Sequence, residues 1–175
     1  MTFKTLFAAA AIMTLPAVSA LASDDFLPSI DDVFTKWGES EGWTVYVDVS
    51  RGSCLIERVD ANSNVVQMGL NKAQDFAYLG VFTKADINLR GGKEKVTIAL
   101  DDKIYEGNAR KKSKHLADDY KGGYILIDNP DFVTDVQKRY TMVVFPKREE
   151  AFSVSLDGTL KAIEAARECQ AQQSG

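Results

Sequence analysis

The chain contains one histidine, two cysteines and four prolines in 175 residues. A structural or catalytic zinc centre draws about three or four ligands from His, Cys and carboxylates. With so few His and Cys residues, no metal site and no other cofactor is expected. His115 lies in the hydrophilic stretch "NARKKSKHLADDY" with no G-x-S-x-G context, so it reads as a surface residue and not as a catalytic base. No Pro-rich or Gly/Ser-rich linker, repeat or low-complexity block divides the chain. An excess of basic charge is also lacking: the formal net charge is -4, which argues against nucleic acid as the main partner.

Long apolar runs are scarce as well. The one at the N-terminus, Leu6 to Leu15, follows Lys4 and ends at Pro16. It falls well short of the roughly 20 residues that cross a bilayer. With Ala20-Leu21-Ala22 after it, the stretch fits a cleaved signal peptide over residues 1–22, with Val18-Ser19-Ala20 as a second cleavage site. No Cys follows for a lipid anchor. The expectation is an exported chain, periplasmic or extracellular, whose residues 23–175 form a single domain with no transmembrane segment.

What is present is mostly strand-forming. "WTVYVDV" alternates, with Trp43, Val45, Val47 and Val49 on one side and Thr44, Tyr46 and Asp48 on the other. The turn "SRG" and "SCLIERV" make residues 43–59 a hairpin. Further strands are expected at 65–70, 76–82, 95–100, 103–107, 122–128, 141–145 and 152–156, at the short spacing of a meander.

Three helices complete the expectation. In "LPSIDDVFTKWGES", Ser29 and Asp32 resemble an N-terminal capping pair, and Ile30, Val33, Phe34 and Trp37 recur at helical spacing before Gly38. Around 130–140, Asn129 caps, Pro130 opens, and Phe132, Val133, Val136 and Tyr140 form an apolar stripe. A terminal helix begins near Thr159, after a turn at Asp157-Gly158. The fold class is α+β: one curved, mainly antiparallel sheet with an N-terminal helix, a helix near 130–140 and a C-terminal helix.

On the terminal helix, Thr159, Ala162, Ile163, Ala166 and Cys169 share one stripe, opposite Lys161, Glu164 and Glu168. Cys54 shares a strand face with Ile56. In an exported chain this favours a Cys54–Cys169 disulfide over two buried thiols, and the absence of C-x-x-C spacing disfavours a redox pair.

Sites for chemistry are thin, and no catalytic residue is assigned. Arg110, Lys111, Lys112 and Lys114 form either a solvated loop or an anion-binding patch for lipid headgroups, polysaccharide or an acidic protein face. Asp24-Asp25, Asp31-Asp32 and Asp101-Asp102 lack the spacing of a calcium loop and read as caps or turns. The Gly-Gly of "INLRGGKEK" lacks P-loop spacing.

The order of a "W-x-V" strand, the Cys of "SCLIER", a meander and the ending "FSVSLDGTLKAIEAARECQ" resembles small exported alphaproteobacterial proteins of unknown function. It is also loosely similar to the invasion-associated locus B family. That resemblance implies a periplasmic, β-rich, disulfide-bonded protein and carries over no catalytic residues. The expectation is a non-catalytic binding or accessory protein of the cell envelope, engaging an envelope protein or an anionic envelope component. The rival readings are a hydrolase or isomerase built on carboxylates such as Glu106, Asp118 and Asp119, and a purely structural envelope protein.

Overall fold

The computed structural model describes residues 27–29, 31–70, 76–87, 95–108, 116, 118–127 and 129–173. The expected signal peptide, the basic run Arg110, Lys111, Lys112 and Lys114, and His115 lie outside the described residues.

Runs of alternating β-branched and aromatic residues separated by short polar turns pair with their sequence neighbours. The strands β1 (Phe34–Ser40), β2 (Trp43–Asp48), β3 (Ser53–Val59), β4 (Val65–Leu70) and β5 (Ala77–Thr83) form an antiparallel meander. After β6 (Lys95–Leu100) and β7 (Lys103–Asn108), β8 (Lys121–Ile127) returns to pair with β5. Helix α1 (Pro130–Lys138), strands β9 (Thr141–Val144) and β10 (Phe152–Ser155), and helix α2 (Thr159–Gln173) follow. No helix among the described residues is long and apolar enough to cross a membrane.

The α+β class holds, but the single sheet does not. There are two antiparallel sheets: one of six strands in the order β1-β2-β3-β4-β5-β8, and one of four in the order β10-β9-β6-β7. The division falls where β6 pairs with the later β9 while β5 takes β8. The two sheets meet without sharing a ladder. At Gly107 on β7 an added Cβ would lie 2.7 Å from the Cβ of Ile125 on β8. Only glycine permits so close an approach of the two layers.

The N-terminal helix is also corrected, since residues 34–40 are β1. The capping pair does form: the Ser29 amide donates to the Asp32 carboxylate at 2.6 Å and the Ser29 hydroxyl to the same carboxylate at 3.0 Å. It closes a single turn, from which the chain extends into pairing with β2. Phe34 and Trp37 are three apart, a spacing that would put them on one helix face. On a strand it puts them on opposite faces, and Phe34 and Trp37 pack into different apolar clusters. The register shift between Lys36 and Gly38 accommodates the extra residue.

Both faces of the six-stranded sheet are consequently covered. One carries Trp43, Val45, Cys54, Ile56, Val66, Met68, Leu79, Val81 and Ile125 into the main core, against the second sheet and the helices. The other carries Leu55, Val65, Tyr78, Phe82 and Tyr124, covered by Leu27 and Leu116. This second face also buries a polar row. Gln67 donates to Glu57 at 2.6 Å and accepts from the Tyr124 hydroxyl. Tyr124 reaches Gln67 across Gly80, where an added Cβ would stand 2.6 Å from the tyrosine ring.

Candidate functional site

Helix α2 is placed by several contacts with the early strands. Ala162 and Cys169 are buried on its inner stripe, with Ile163 and Ala166 half-buried beside them. Small side chains let the helix approach β2 and β3 closely, and Cys169 forms the disulfide with Cys54 across 115 residues of chain. The Cα atoms of the two cysteines are 6.1 Å apart, within the ordinary range for a disulfide. Next to it, Gln170 is buried. Its side-chain oxygen accepts from the Cys54 amide at 3.0 Å, and its nitrogen donates to the Gly52 carbonyl at 3.1 Å. The Trp37 indole donates to Gln172 at 3.0 Å, fastening β1 to the same helix.

Helix α1 is held by its own cap and by the second sheet. Asn129 accepts from the Asp131 amide, as a capping side chain does, and Pro130 opens the first turn. On the inner face, Asp135 accepts from Lys103 Nζ at 2.7 Å and from the Tyr105 hydroxyl at 2.5 Å. Those two hydrogen bonds hold the Asp135 carboxyl below its ordinary value, Lys103's more than Tyr105's. Burial pushes the Tyr105 hydroxyl up to about 12, with the Asp135 bond adding to the shift. The Tyr105 ring also meets Phe132 edge to face at 4.9 Å. The apolar stripe runs through Phe132, Val133 and Val136 but stops there, because Tyr140 lies past the helix end and is 78% exposed.

Between these two helices and the sheet lies an apolar cleft of about 90 Å³, lined by Ile56, Met68, Phe132, Val136, Ile163 and Ala166 among others. Cys54 of the disulfide also lines it, and Gln170 and Arg167 supply polar side chains from α2. Among the described residues, no carboxylate, histidine, serine or threonine lines it. Such a site can hold an aliphatic group by removing it from water. Its described lining offers no general base and no free nucleophile.

A second concentration of chemistry lies at the end of β2. Asp48 and Asp32 are both buried, and Arg51 Nε sits 2.7 Å from Asp32 and 3.5 Å from Asp48. Burial pushes the Asp48 carboxyl up to about 6, the neighbouring Asp32 charge adds to this, and Arg51 opposes it. The Tyr78 hydroxyl and one Asp48 oxygen are buried without a hydrogen-bond partner. One arginine between two carboxylates fastens the segment before β1 to the β2–β3 turn, and none of the three lines the cleft.

Of the residues singled out from sequence, Cys54 and Cys169 are brought together as a disulfide. The carboxylates Glu106, Asp118 and Asp119 are all exposed, and none lines the cleft. Glu106 pairs with Lys95 at 3.3 Å and Asp119 with Lys84 at 2.9 Å. Tyr46, expected on the face opposite Trp43, is half-buried in the second cluster. Sequence reasoning did not single out Met68, Ile163, Ala166 and Arg167 as neighbours in one cleft. The apolar stripes of α1 and α2 were the available signal, but they do not reveal where two helices leave a gap.

No family model, curated protein or solved structure was found to match this chain.

Proposed function

We propose that this is a non-catalytic binding protein of the cell envelope, exported to the periplasm, that holds an apolar group of its ligand in the cleft between the six-stranded sheet, α1 and α2. The lining of that cleft carries the reading: apolar side chains from the sheet and both helices converge there, with no acid, general base or free nucleophile among the described residues that line it. The Cys54–Cys169 disulfide supports an oxidising compartment. The apolar N-terminal run followed by Ala20-Leu21-Ala22 supports export. Against a carboxylate hydrolase, Glu106 and Asp119 are engaged with different lysines and lie outside the cleft.

Titration of the oxidised protein with 1-octanol, followed by methyl NMR, tests the reading. Saturable shifts are expected at Ile56, Met68, Val136 and Ile163, which line the cleft. They should vanish in Ala166→Trp, which fills it. Shifts scattered over the surface, or none at all in the folded protein, would refute the assignment.

A further inference from the structure

Along α2 the cleft changes character. Ile163 and Ala166 present apolar surface, whereas Arg167, one residue on, brings a permanent cation to the same lining. Arg167 is exposed, and among the described residues no ion pair engages it. The other described arginines differ: Arg51 binds Asp32, Arg58 donates to the Asp157 carbonyl, Arg139 binds Asp101, and Arg148 lies over the Phe145 ring. Among the described residues, no acidic side chain stands in the lining to offset the Arg167 charge.

The volume limits what enters. About 90 Å³ is below the roughly 150 Å³ of a dry cavity that takes benzene, so it suits a few methylene groups of a linear chain better than a ring. Ile163 and Arg167 are four residues apart on the helix, or about 6 Å along its axis. A chain end resting on Ile163, Met68 and Val136 therefore brings a head group to the guanidinium within about one helical turn.

We propose that the cleft binds a single-chain anionic amphiphile, with its alkyl end among Ile56, Met68, Val136 and Ile163 and its carboxylate or phosphate on Arg167. This rests on the cleft being the binding site. The guanidinium suits such heads because two parallel N–H donors match two oxygens of a carboxylate or phosphate. At a half-open site the ionic contribution is moderate, and the apolar chain supplies the rest of the affinity.

The test compares octanoate, octyl phosphate, 1-octanol and octylammonium by calorimetry on the oxidised protein at low salt, with Arg167→Gln alongside. The expected result is at least tenfold tighter binding of an anion than of 1-octanol, weaker binding still of octylammonium, and loss of that preference with added salt. In Arg167→Gln the anions should fall to the level that 1-octanol shows in the same variant. Tighter octanoate identifies a free fatty acid as the natural source, and tighter octyl phosphate identifies a phosphate-headed lipid fragment. If 1-octanol binds as tightly as the anions, or if Arg167→Gln leaves the preference intact, the anionic assignment fails while the cleft stands. If none of the four binds, the cleft itself is not the site.

Discussion

At the scale of single residues, two aspartates give the protein opposite responses to pH. Asp48 has its carboxyl raised to about 6 by burial and by Asp32. The folded state therefore holds that proton more tightly than the unfolded chain. The stabilisation is complete below the unfolded value and is lost as pH rises toward 6. Asp135 is the reverse. Its carboxyl is lowered by Lys103 and Tyr105, so its contribution is present at neutral pH and is lost as pH falls through its folded value. Urea unfolding of Asp48→Asn should thus show a flatter stability profile between pH 4 and 6, with a gain on the order of 2 kcal/mol at pH 7. An unchanged profile would remove Asp48 from this role. Asp135→Asn leaves the buried Tyr105 hydroxyl with a weaker acceptor, and a lower urea midpoint at pH 7 is expected.

At the scale of elements, the two helices depend on different fastenings. Helix α2 depends on the disulfide, which closes a 115-residue span. In the chain-entropy account such a closure contributes about 4 to 5 kcal/mol, and measured values are commonly lower. The double substitution Cys54→Ala with Cys169→Ala should lower the unfolding free energy by about 2 to 5 kcal/mol, read from urea midpoints with and without reductant. Because Cys54 lines the cleft and Cys169 holds α2 against it, the same variant should also weaken 1-octanol binding. Most strands and both of these helices were legible from local pattern: residues 65–70 and 95–100 match their strands to the residue. Residues 34–40 were not, because a three-residue spacing of Phe34 and Trp37 serves one face of a helix and the two partly covered faces of a strand alike.

At the scale of the whole molecule, the two sheets and two helices share one core, in which Val96, Ile98, Leu100, Met142 and Val144 of the four-stranded sheet meet Ile56, Leu79 and Ile125 of the larger one. Their contact is tight at Gly107, where an added side chain has only the branched Cβ region of Ile125 to displace. Gly107→Val should destabilise the protein by about 2 to 3 kcal/mol and lower the midpoint by several degrees while leaving one cooperative transition. Two separate transitions would instead mean that the sheets unfold independently.

By itself the sequence determined the α+β class, nearly every strand, the inner stripe of α2 and the pairing of its only two cysteines. Each of these follows from periodicity, turn chemistry and composition within a short window, or from there being only one partner to choose. Only the tertiary structure decided that the strands divide into two sheets and that both faces of the larger one are covered. It alone brought Arg167 to the lip of a cleft lined by Met68, Phe132 and Ile163. Those outcomes depend on which distant surfaces meet, as with β5 choosing β8 over β6, and on gaps that packing leaves between elements. No local pattern encodes the absence of an atom between two helices, and that absence is where the proposed binding site lies.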